Sequence, residues 1–169
     1  MRAYHGLFTL EIRASLCEYA HGWLARADLL DFVWIEHRSS LDSKSPGLAM
    51  DYLGQAPELI LIDSSHEYEA TAQQLEAWYP VLAPGGFIAL HDTSKFAASF
   101  DATHAGGVAR ALKEWRRKHP AVEAFSLNAE IDVMEPPPPV YQDACGVGLI
   151  QKPLQDVSNP YSGKRAGAK

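Results

Sequence analysis

The sequence has only two cysteines, no apolar run of membrane-spanning length, no excess of basic charge, and no glycine-x-glycine turn after its opening apolar run. Each shortage removes a class of protein. Cys17 and Cys145 lie far apart, without C-x-x-C or zinc-ligand spacing, so a disulfide scaffold and a structural zinc module are both excluded and a reducing cytoplasm is the expected compartment. The opening Met-Arg-Ala-Tyr-His-Gly lacks an apolar signal core, and neither a membrane anchor nor a targeting segment is expected. A formal charge of −6 and a pI near 5.6 would repel phosphate backbones, so nucleic acid is not an expected partner. The local basic groups have plain explanations. Arg116, Arg117 and Lys118 close a helical pattern, where cations complement the dipole, and Lys164, Arg165 and Lys169 stand in a tail of small residues.

What remains is the composition of one globular domain with a single core. The pattern places that domain at residues 1–153, with residues 154–169 as a flexible tail. LFTLEI, Leu7 to Ile12, reads as a strand, and Leu16, Tyr19, Ala20, Trp23, Leu24 and Ala27 recur at helical spacing after it. Phe32 to Ile35 predicts a second strand, a loop holding Pro46 and Gly47 follows, and LILI at Leu59 to Ile62 predicts a third. A second helix carries Tyr68, Ala72, Leu75 and Trp78, and the turn Ala83-Pro84-Gly85-Gly86 leads directly into a fourth strand at Phe87 to Leu90. Because that turn precedes a strand, it reads as a helix-to-strand connection and not as a phosphate cradle. Val108, Ala111, Leu112 and Trp115 mark a third helix. Glu123 to Leu127 and Gly146 to Ile150 predict two last strands around the loop bearing Pro136 to Pro139. Alternation of this kind predicts a doubly wound α/β sheet, mostly parallel, ending in an antiparallel strand. Trp23, Trp78, Trp115 and Tyr68 are expected in helix cores, and Ser64-Ser65-His66-Glu67 fits a capping box with Ser64 as the cap. His5, His21, His104 and His119 show no paired spacing and receive no role.

In an open α/β sheet, ligands gather beyond the carboxyl ends of the strands. Those positions are polar here: Glu11 after the first strand, Glu36 to Ser39 after the second, Asp63 to His66 after the third, His91 to Thr93 after the fourth. His66 is a candidate general base, since an unperturbed imidazole titrates near physiological pH, although it could equally orient its loop.

The window LILIDSSHEYEATAQQLEAWYPVLAPGGFIALHDT, Leu59 to Thr93, resembles class I S-adenosylmethionine-dependent methyltransferases whose members read I-D-G-D-H-x-Y-E, then an amphipathic helix with D/E-L-x-x-W, L-x-P-G-G, a strand and H/D-D. Cys145 to Lys152 is similar to the family's glycine-rich final strand. The resemblance implies a Rossmann-like sheet and methyl transfer from S-adenosylmethionine to a hydroxyl of a small metabolite or sugar. It also makes LFTLEI and FVWIEHRSS the family's second and third strands. The family's first strand, with its glycine turn for the cofactor, then has no counterpart, which implies an N-terminally truncated chain that binds cofactor weakly alone. By position, Glu11 would grip the ribose, Arg38, Ser39 and Asp63 would complete the cofactor site, and Asp63 and His66 would be catalytic. A divalent metal, magnesium or manganese, would sit on Asp63, His91 and Asp92; the alternative for these three is a set of strand-end hydrogen bonds. The other reading is a non-catalytic or truncated methyltransferase-like domain whose missing strand comes from a partner chain or a homo-oligomer. A nicotinamide oxidoreductase would need the same absent turn and lacks the resemblance.

Overall fold

The computed structural model describes residues 6–127 and 144–154. Short β-prone runs alternate with helices in the order β1 (Leu7–Glu11), α1 (Ala14–Arg26), β2 (Val33–His37), α2 (Ser45–Leu53), β3 (Leu59–Ile62), α3 (Tyr68–Trp78), β4 (Phe87–His91), a 3₁₀ turn (Ala97–Phe100), α4 (Gly107–Lys118), β5 (Glu123–Leu127) and β6 (Val147–Gln151). The elements not anticipated are the 3₁₀ turn and α2, where Pro46 and Gly47 suggested a loop. Proline is tolerated in a first helical turn, where its missing N–H has no intrahelical partner, and Pro46 sits there; Gly54 ends the helix in the left-handed conformation. The Pro136 to Pro139 loop and the tail from residue 155 lie outside the described residues. Among the described residues, no helix is long and apolar enough to cross a membrane.

The strands form two sheets. β1 and β2 pair in parallel, Leu7 opposite Val33 and Glu11 opposite His37. The other sheet has the order β3-β4-β6-β5, with β3 and β4 parallel and β6 antiparallel to both of its neighbours. The two sheets are held side by side, β1 facing β3, and no described strand fills the place between them. A slot of about 470 Å³ runs there, walled by Leu7 to Leu10 and Leu59 to Ile62 and floored by Ala49, Leu53, Gln74 and Trp78. Two ties across it come from α3. The Gln74 amide nitrogen donates to the Ser40 hydroxyl at 2.6 Å and the Ser64 hydroxyl at 2.9 Å, and Trp78 Nε1 donates to the Ser40 carbonyl at 3.0 Å.

The core lies on one face of the four-stranded sheet, where Ile62, Ile88, Leu90 and Ile150 meet Leu75 of α3 and Leu112 and Trp115 of α4. Burying side chains of this size contributes roughly 1.5–3 kcal/mol each. Gly148 keeps this packing close: a Cβ there would stand 2.6 Å from Leu112 Cδ2 and 2.9 Å from Thr93 Cγ2. Gly148→Ala is therefore expected to destabilise the fold by about 1–3 kcal/mol through overpacking, read as a lower urea midpoint with an unchanged slope.

Two aromatic residues depart from the expected core. Trp23 is 53% exposed, meeting Tyr19 edge-on with Arg26 over its ring, because the buried residue of α1 is Cys17 and Trp23 lies off that face. Tyr68 is a bridge between helices: its hydroxyl donates to Glu114 of α4 at 2.6 Å while Arg110 lies over its ring. That hydrogen bond raises the Tyr68 pKa and, with Arg110, lowers that of Glu114.

Candidate functional site

The carboxyl ends of β3 and β4 bring Asp63, His66, His91 and Asp92 together. Asp92 is 3% exposed and receives both imidazoles, His66 Nδ1 on one carboxylate oxygen and His91 Nδ1 at 3.2 Å from the other. A buried carboxylate needs such partners, since desolvation of an unpaired charge is costly. With the carboxylate ionised, His66 donates through Nδ1–H, which leaves Nε2 as the lone-pair nitrogen. The ring is about one-third exposed, and Phe100 of the 3₁₀ turn meets it edge-on at 5.9 Å between centroids. Asp63 is half exposed, with Oδ1 3.8 Å from His91 Nδ1. One ligand atom each from Asp63, His66 and Asp92 lie within 4.8 Å of one another, close enough for a single cation to touch all three. His91, expected as a ligand beside Asp63 and Asp92, is not in that set; its Nδ1 instead lies 3.2 Å from Asp92 and 3.8 Å from Asp63.

The backbone at this cluster is strained. His66 (φ 59°) and Asp92 (φ 64°) both occupy the left-handed region, which costs a side-chain-bearing residue about 1 kcal/mol or more and persists only where surrounding contacts hold it. Asp101, which the sequence did not bring forward, ties the end of the His66 loop to the start of α4. Its fully buried carboxylate accepts from the Thr103 hydroxyl (2.6 Å) and amide (2.8 Å), the Gly107 amide (2.9 Å) and the Tyr68 amide (3.4 Å). The Thr103 hydroxyl first, with the three amides, holds its pKa down at about 2 against the opposing effect of burial. One carboxylate thus joins the first residue of α3, two residues beyond His66, to the first residue of α4. The Asp-x-Thr spacing of an Asx turn was the available signal. This arrangement also replaces the expected capping box. Helix α3 begins at Tyr68, three residues later than a Ser64 cap requires, and the Ser64 hydroxyl faces Gln74 instead.

The ends of β1 and β2 are arranged differently. Glu11 accepts the Arg13 amide on Oε1 at 2.8 Å, leaving Oε2 without a described partner. The Arg38 guanidinium is clamped in its own loop by Asp42 at 2.6 Å and Glu36 at 3.3 Å. Hydrogen bonding to these carboxylates raises the Arg38 pKa, while the Lys44 amide and then Arg38 lower that of Asp42. The Ser39 hydroxyl accepts the Leu41 amide, and its carbonyl accepts the Ser45 hydroxyl. Arg38 and Ser39 therefore build the turn into α2, where their side-chain hydrogen bonds are made.

Residues 18–93 match the sequence model of a family described as a methyltransferase domain. No curated protein matches the chain significantly. Among solved structures, an O-methyltransferase from Bacillus cereus in complex with SAH aligns with a TM-score of 0.64 at 19% identity, covering 87% of this chain and 62% of its own. The O-methyltransferase TomG from Streptomyces achromogenes, involved in tomaymycin synthesis and in complex with SAM, aligns with a TM-score of 0.63 at 17% identity, covering 88% and 62%. The chain thus spans about 62% of the length of these structures. At such identities the likeness is one of fold.

Proposed function

The chain has the class I S-adenosylmethionine-dependent methyltransferase fold, with residues 18–93 matching a methyltransferase domain, and from this premise we propose that it carries the acceptor half of an O-methyl transfer site for a small hydroxylated molecule or sugar. The observation that carries this reading is the His66–Asp92 pair at the carboxyl edge of the sheet, beside a half-exposed Asp63. Asp92 fixes the imidazole so that Nε2 can accept the proton of an acceptor hydroxyl, and Phe100 limits the ring's rotation.

The fit to S-adenosylmethionine is divided. Oε2 of Glu11, at the end of β1, suits a ribose hydroxyl and Asp63 lines the slot, whereas Arg38 and Ser39 make their side-chain bonds within their own turn. When bound, S-adenosylmethionine supplies a methyl group on a sulfonium, transferred to the oxygen as the sulfur becomes a neutral thioether. The chain's part is to hold the acceptor and take up one proton.

Asp63, His66 and Asp92 also fit a divalent cation by their chemistry, two carboxylates and an imidazole, which favours manganese over magnesium. When bound, such an ion lowers the pKa of a hydroxyl it touches, and His66 then serves as a ligand.

Two calorimetric titrations test these assignments without requiring turnover. For S-adenosylhomocysteine, Glu11→Ala is expected to weaken binding about tenfold and Arg38→Ala to leave it unchanged; equal affinity in wild type and Glu11→Ala would refute the cofactor placement. For manganese, Asp63→Ala and Asp92→Asn are each expected to abolish binding. Retention in both places the ion elsewhere.

A further inference from the structure

We propose that Phe96 and Phe100 form an aromatic shelf that seats the acceptor by its flat face, which makes that acceptor an aryl hydroxyl compound and not a sugar. The inference rests on the methyl-transfer reading and narrows it. Segment 94–101, around the 3₁₀ turn, is built inside out. Its small and polar residues Ser94, Ala97 and Asp101 are buried, while its two largest apolar side chains stand in solvent, Phe96 59% exposed and Phe100 41%. Side chains of that size gain most from burial, so two adjacent rings left outside the fold mark a contact surface. With His66 they form a row of three rings. Phe96 and Phe100 meet edge to face with centroids 5.4 Å apart, and Phe100 meets the imidazole in the same manner at 5.9 Å. Among the described residues neither phenylalanine has another ring contact.

The backbone beneath the shelf is tied down. The Ser94 hydroxyl donates to the Ala144 carbonyl at 2.5 Å and accepts the Ala97 amide at 3.1 Å, and the Ser94 amide donates to the Cys145 carbonyl at 2.9 Å. The Ser99 hydroxyl donates to the Phe96 carbonyl at 2.8 Å, and Asp101 holds the far end of the segment through the Thr103 and Gly107 amides. A surface fixed in this way loses little freedom when a ligand settles on it. What it presents is carbon. Phenylalanine has no hydrogen-bonding atom in its side chain, and the Ser94 and Ser99 hydroxyls and the Asp101 carboxylate are engaged with the protein's own groups. A pyranose laid on these rings gives up water from several hydroxyls without a replacement, whereas an aryl ring gives up water only from carbon and gains stacked or edge-to-face contacts. An aryl hydroxyl lies in the plane of its ring, so a ring resting on Phe100 keeps that oxygen at its rim, free to reach the imidazole beside it. With a pKa of about 10, such a hydroxyl also gives up its proton far more readily than an alkyl one, which asks less of a base.

The test is saturation-transfer NMR on the purified chain with two small probes, p-cresol and methyl glucopyranoside, each titrated without cofactor. p-Cresol is expected to bind, with nuclear Overhauser contacts to the Phe96 and Phe100 rings, and the glucoside to bind at least tenfold more weakly. Phe100→Ala is expected to weaken p-cresol binding about tenfold and Phe96→Ala about fivefold. Phe100→Leu, which keeps the apolar bulk but removes the ring, should lose most of the affinity, and Phe100→Tyr should retain it. All four substitutions fall on exposed positions, and an unchanged urea midpoint identifies a folded sample. Equal affinity for the two probes, p-cresol binding that both alanine variants leave intact, or no p-cresol binding by the folded wild-type chain would each overturn the proposal. The titration needs neither cofactor nor turnover, so its outcome is separate from the methyl-transfer reading, whose failure shows in the kinetics of His66→Gln.

Discussion

Asp92→Asn is expected to reduce methyl transfer by about 100- to 1,000-fold, the range associated with loss of a positioned general base. The substitution is nearly isosteric and leaves the buried site filled, but an amide can present its N–H₂ to His66 Nδ1 and so favour the tautomer with the proton on Nε2, the nitrogen that must be free. His66→Gln should reach a similar loss, and the double variant should be little worse than either alone, because both residues act on one proton. The effect should fall on kcat, with KM for the acceptor nearly unchanged. The assay is S-adenosylhomocysteine release in the presence of a panel of phenols, catechols and sugars. A loss below tenfold for both single variants would remove His66 from proton transfer.

The largest effect on stability is expected at Asp101. Asp101→Ala removes one buried carboxylate that satisfies three backbone amides and a hydroxyl, leaving Gly107 and Thr103 donors without their acceptor, and should cost about 3 kcal/mol. Because the Asp101 pKa is depressed to about 2 in the folded state, its ionisation stabilises the fold fully above the unfolded carboxylate value near 3.8, and that contribution is lost as pH falls from about 4 to about 2. The stability gap between wild type and Asp101→Ala should therefore narrow on acidification through that window and stay constant from pH 5 to 7. Urea melts at pH 7, 4 and 2.5 would measure it. A gap that does not narrow would mean the carboxylate is not held in its ionised form.

These two residues show what a sequence can disclose. Asp63, His66 and Asp92 stood out because each follows an apolar strand run, and strand ends at one sheet edge must converge. The pairing of His66 with Asp92 was not readable, since 26 residues separate them and no spacing rule links two loops. Asp101 was hidden for a related reason: its partners are backbone amides, which carry no residue identity. Strands β3, β4 and β6 were legible because four- or five-residue β-prone runs bounded by turn residues leave few alternatives. The α2 helix was not, since proline and glycine signal both breaks and helix starts. Trp23 and Tyr68 were placed in the core by periodicity alone, which reports an apolar face without saying whether anything covers it.

The Gln74 bridge has a consequence for local opening. Gln74 reaches Ser40 and Ser64 together and Trp78 reaches the Ser40 carbonyl, so the two half-sheets cannot part without breaking these bonds at once. Opening of one half-sheet is therefore coupled to the start of the other through a single helix, and the slow amides of β2 and β3 are expected to exchange as one cooperative unit.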